Sequence, residues 1–148
     1  MTAKADFTPE EWELVLEGPP AAGLIVSTAE RGGTFREAFS IAKAYTTARK
    51  QHGASQLLDE IVSAKPDIDR SRFSSFEELK EHGLGKLREA VALLEQKATP
   101  EEVDDYKGFV LSVADHVAAA KTEGGDQPAT ESEQAAIGEI AAALGRAA

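Results

Sequence analysis

Glu123, Asp126, Glu131 and Glu133 stand close together around Gly124 and Gly125, and they form the best candidate for cation chemistry in the chain. A hard divalent cation such as Ca²⁺ takes about six to eight oxygen ligands, and neighbouring glycines let backbone carbonyls turn toward it. The alternating Asp/Asn ligands of an EF-hand are missing. Glu131 and Glu133 also lie two apart on an expected helix, which aims them in different directions. A helix-start hydrogen bond is a competing use for Glu133.

Other chemistry finds less support. His52, His82 and His116 fall in three different expected helices, without the His-Glu-x-x-His spacing or paired ligands that a zinc hydrolase needs. Asp115 and His116 are adjacent, so on a helix they point about a hundred degrees apart and form no local acid-base pair. There is no Gly-x-Ser-x-Gly elbow and no phosphate-binding Gly-x-x-x-x-Gly-Lys loop. Glu101, Glu102, Asp104 and Asp105 gather in one helical turn, where carboxylates complement the helix dipole without any ligand. Phe7 and Trp12 flank a helix start, a position that suits a hydrophobic staple or core anchor better than a partner contact. The residues therefore favour a non-enzymatic chain.

Which elements would position these groups follows from size and pattern. At 148 residues the chain has the length of a single domain spanning 1–148, with residues 1–7 expected as a flexible N-terminus. Hydrophobic residues make up 42% and aromatics 6%, so the core should be built from Leu, Ile, Val and Ala. Sixteen Lys and Arg against 26 Asp and Glu give a net charge of −10. That charge repels nucleic acid and anionic membrane surfaces and suits a basic protein surface. Without cysteine there is neither a disulfide framework nor a thiolate metal site, as expected of the cytoplasm. No secretion signal and no apolar run of membrane-spanning length is apparent.

One device punctuates the chain: Ser or Thr followed three residues later by Glu, the capping box that closes a helix start. It occurs as Thr8/Glu11, Thr34/Glu37, Ser75/Glu78, Thr99/Glu102 and Thr130/Glu133, and Pro9 and Pro100 occupy first-turn positions. A first helix is expected from Pro9 to about Glu17, stopped by Gly18-Pro19-Pro20, and a second, central and apolar, from about Pro20 to Ala29. A third follows Thr34 with Phe35, Ala38, Phe39, Ala42, Tyr45 and Ala48 on one stripe, ending at Gly53. Ser55 opens a fourth, to about Ala64, and a polar loop covers Pro66 to Phe73. The fifth, Phe76 to about Ala98, should break at Gly83 and Gly85. The sixth, Pro100 to about Thr122, places Val103, Tyr106, Val110, Val113 and Val117 inward. The last runs from about Glu131 to Leu144, before Gly145. With no alternating strand pattern anywhere, the fold class is all-α, a compact bundle of about seven helices.

Aligning Thr34 with Thr130 also aligns Glu37 with Glu133 and Ile41 with Ile137, which suggests two pseudo-repeated helix-loop-helix units. The chain resembles the tellurite-resistance TerB-like family over nearly its whole length. The residues that carry the resemblance are Phe7-Thr8-Pro9-Glu10-Glu11-Trp12, the Ala29-to-Thr34 loop with Glu37, and Thr99-Pro100-Glu101-Glu102 with Tyr106-Lys107. Val117 to Ala120, Gly124-Gly125, and Glu133 ahead of Ile137 and Leu144 complete the set. In that family the first loop usually reads Ala, Asp, Gly, with an acidic residue on the following helix. The resemblance thus makes Glu30 and Glu37 a second metal candidate, although the guanidinium of Arg31 opposes a cation there.

The resemblance implies a cytoplasmic, stress-associated helical module without catalysis, acting through an acidic surface on an unidentified protein partner, as a monomer or small homo-oligomer. The alternative is a divalent-cation-binding protein using the Glu123-to-Glu133 loop.

Overall fold

A computed structural model describes residues 3–29, 35–50, 56–64, 74–120 and 131–145. Within them are a short 3₁₀ turn, Lys4–Asp6, and six helices: α1 Pro9–Ala29, α2 Phe35–Lys50, α3 Gln56–Ser63, α4 Phe76–Lys97, α5 Pro100–Ala120 and α6 Glu131–Ala143. The described residues contain no strand, and the fold is all-α. None of the helices is long and apolar enough to cross a membrane.

The helices begin where the side-chain chemistry directs. Thr8 and Glu11 exchange the two capping-box bonds at α1, Glu11 N–H donating to Thr8 Oγ1 (3.2 Å) and Thr8 N–H to Glu11 Oε1 (2.9 Å). Thr99 and Glu102 do the same at α5, at 3.2 and 2.9 Å. At α4 the bond from Glu78 N–H to Ser75 Oγ is present at 3.1 Å, but the Glu78 carboxylate turns to the backbone and hydroxyl of Ser74. The boxes at Thr34 and Thr130 lie outside the described residues. Gly145, at φ 80°, ends α6 in the left-handed conformation that glycine adopts without strain.

Helix α1 is the centre of the bundle. It packs most extensively on α4 and α5 and also meets α2 and α6, and every residue from Gly18 to Ser27 is buried. The sequence leads one to expect two helices here, separated at Gly18-Pro19-Pro20, but α1 runs through without a break. A proline has no N–H, so the carbonyls of Val15 and Leu16 lose the helical donors that Pro19 and Pro20 would supply. The hydroxyl of Tyr106, fully buried on α5, donates to the Val15 carbonyl at 2.8 Å and so replaces one of them. Gly18 is what lets it in, since a Cβ there would stand 2.2 Å from that hydroxyl oxygen.

Helix α4 likewise continues through Gly83 and Gly85. A Cβ at Gly83 would meet Ile25 Cδ1 at 2.8 Å, so this glycine serves the close approach of α4 to α1, whereas Gly85 has nothing within 4 Å of that position. The joining of the first two expected helices into α1 is why the described residues hold six helices rather than about seven.

The expected stripes of α4 and α5 are all buried: Leu79, Leu84, Leu87, Val91 and Leu94, and Val103, Tyr106, Val110, Val113 and Val117. On α2 the buried face is rotated, with Ile41, Ala44 and Tyr45 inward and Ala42 only half-buried. Ile41 is fully buried while Ile137, its partner in the proposed repeat, is half-buried, so the two helices do not use the aligned positions alike. Near the start of the chain, residues 3–7 lie against the first turn of α1 and the end of α4. Phe7 is buried against Trp12, ring centroids 5.5 Å apart, as a hydrophobic staple across the Thr8 cap. Lys97 of α4 clamps it by donating to the Asp6 carbonyl (3.0 Å) and to Glu11 (2.9 Å). Short α3 is held by Arg49 of α2, whose guanidinium donates to the carbonyls of Val62 and Ala64.

Candidate interaction face at the α4–α5 corner

Helix α4 ends at Lys97, Ala98 closes it by donating its N–H to the Leu94 carbonyl, and Thr99 caps α5 immediately. This tight corner brings the last turn of α4 against the first turn of α5. Between them lies a cleft of about 300 Å³ lined by Glu95, Ala98, Pro100, Val103, Asp104 and Lys107. Glu95, Glu101 and Asp104 are exposed and Asp105 is half-buried. Partial burial, and then repulsion from Asp104, Glu101 and Glu102, lifts the Asp105 carboxyl above its ordinary range. Glu102 is 5% exposed and is committed to the cap of Thr99. Lys107 supplies the positive member of the lining, and a Cβ at Gly145 would lie 3.9 Å from its amine, beside the C-terminal end of α6. The cleft thus offers a mixed lining, with Ala98, Pro100 and Val103 apolar, Glu95 and Asp104 acidic and Lys107 basic.

A second, smaller cleft of about 230 Å³ lies between α2, α3 and α5, lined by Ala44, Thr47, Ala48, Leu58, Gly108, Phe109 and Ser112. Phe109 meets Tyr45 edge-on there, centroids 4.9 Å apart, and burial pushes the Tyr45 phenol well above its usual value. Small side chains open this cleft, and it presents no carboxylate.

The residues singled out for chemistry are distributed as follows. Of the first metal set, Glu131 is exposed and Glu133 fully buried on α6, so these two carboxylates meet different surroundings, as the two-residue spacing implies. Glu123, Asp126 and Glu30 lie outside the described residues, as does the side chain of Glu37 on α2. Among the described residues, no group of three or more His, Cys, Asp or Glu is placed to hold a metal ion. His82 Nε2 lies 2.7 Å from Glu17 Oε1, joining α4 to α1, and His116 Nδ1 lies 2.8 Å from the Ser112 carbonyl one turn back. Asp115 faces solvent with its carboxyl raised by desolvation, against the opposing influence of His116. His52 is outside the described residues.

Glu95 and the cleft were not visible as a site in the sequence, because Glu95 sits on a different helix from the acidic turn that it joins. The signal available was the short Ala98-Thr99-Pro100 corner, which forces the two helix ends together. No protein-family model, curated protein or solved structure matches the chain.

Proposed function

We propose that this chain is a non-enzymatic helical interaction module whose working face is the acidic corner between α4 and α5, and that it receives a basic segment of a partner protein. The observation that carries the reading is the pair of carboxylates Glu95 and Asp104 lining the cleft, with Glu101 and Asp105 close to Asp104 in sequence and Asp105 raised partly by its acidic neighbours. Mutual repulsion of this kind is relieved when a cation arrives. A Lys or Arg side chain suits the place twice, by laying its methylenes on Val103 and Ala98 and its charge beside Glu95 and Asp104. The resemblance to TerB-like proteins supports a stress-response setting, and the cysteine-free composition a cytoplasmic one.

The test is an amide NMR titration of the whole chain with a Lys- and Arg-containing decapeptide at low and at moderate salt. Saturable shifts confined to residues 95–107 that weaken as salt rises are expected. Shifts spread evenly over the acidic surface, or none at this corner, would overturn the assignment of the face.

A further inference from the structure

The turn of α1 around Gly18-Pro19-Pro20 lacks the means by which a helix normally holds itself together. Neither proline can donate an N–H, so about half of the backbone hydrogen bonds that would span this turn are absent. Gly18 adds the backbone freedom of a residue without Cβ. What keeps the residues before the joint in line with those after it is therefore tertiary. At the joint itself, the Tyr106 hydroxyl holds the Val15 carbonyl at 2.8 Å and Glu17 pairs with His82 at 2.7 Å. At the far end Lys97 grips Asp6 and Glu11 and lies over the Phe7 ring. After the joint the situation is different, because Ala21 to Ser27 are buried on all sides.

We infer that α1 is hinged at Gly18–Pro20 and that the Tyr106 hydroxyl is the latch which keeps the hinge closed. When the latch releases the Val15 carbonyl, residues 4–17 open away from α4 as one arm while residues 21–27 stay packed. Opening exposes Phe7, Trp12 and Val15, all buried when the latch is closed. The inference does not use the carboxylates of the acidic face, although Tyr106 and Lys97 sit on α5 and α4, the helices that carry it.

The deciding experiment is native-state amide hydrogen exchange, read by NMR on the full chain, for the parent and for Tyr106→Phe. Removing the hydroxyl leaves ring packing intact and the buried Val15 carbonyl without that donor. The amides of residues 13–18 should exchange about tenfold faster, with residues 21–27 and 110–117 changed by less than about twofold. Equal acceleration on both sides of the joint, or none before it, would sink the hinge. Lys97→Met, which frees the arm from its other end and leaves Tyr106 in place, keeps the test decisive if the first variant does not fold. It should accelerate residues 10–18 and spare residues 21–27; acceleration that spreads past Pro20 would show that the arm does not move as a unit.

Discussion

Two stretches of this chain look like helix stops, Gly18-Pro19-Pro20 in α1 and Gly83-Leu84-Gly85 in α4, and both lie inside unbroken helices for different reasons. In α1 the backbone is short of hydrogen bonds and a side chain from α5 supplies one. In α4 every N–H is available, and Gly83 answers only to the nearness of Ile25. The two sites are also neighbours, because Glu17 and His82, each directly preceding its glycine, pair across the α1–α4 interface. A glycine read in isolation says that the backbone is free to turn. Read in its packing it says that another helix is too close for a methyl group.

Adding that methyl group tests the contrast. Gly18→Ala should cost the most, about 3 kcal/mol in urea unfolding, because the new Cβ must displace a hydroxyl that is itself needed by the Val15 carbonyl. A cost as small as that of an ordinary surface change would mean that Tyr106 can retreat freely. Gly83→Ala should cost about 1 kcal/mol, since the obstacle is the tip of Ile25 at 2.8 Å and alanine's better helix propensity offsets part of the crowding. Gly85→Ala should reverse the sign and raise stability by roughly 0.5–1 kcal/mol, as nothing stands within 4 Å of its Cβ. If Gly83→Ala and Gly85→Ala proved equal on thermal unfolding, the proposed close approach of α4 to α1 would fail.

How far the sequence could be read follows the same division. Local chemistry was legible: the caps at Thr8 and Thr99 close with the residues their spacing implies, and the period of α5 from Val103 to Val117 identifies its buried face. Contacts that depend on a distant partner were not. Nothing near Pro19 announces a tyrosine on α5, and nothing near Glu95 announces the acidic turn it borders. On α2, aromatic and alanine spacing drew the stripe through Ala42, whereas Ile41 and Ala44 face the bundle, because the position of α5 decides which side of α2 is covered. Of the candidate metal ligands, Glu131 and Glu133 fall in the first turn of α6 as expected. The full burial of Glu133 depends on packing that its own segment does not encode.

The central position of α1 has a consequence for the order in which the protein is made. The helices that cover it most, α4 and α5, are synthesised later, and Lys97 must reach back 91 and 86 positions to Asp6 and Glu11. Closing such long loops carries an entropic penalty and slows folding. On the ribosome, the residues of α1 emerge first and wait while those of α2 and α3 follow, with the tyrosine that braces Gly18–Pro20 and their apolar cover not yet translated. The apolar stretch Ala21 to Val26 is thus without most of its cover from the completion of α1 until α4 and α5 have emerged.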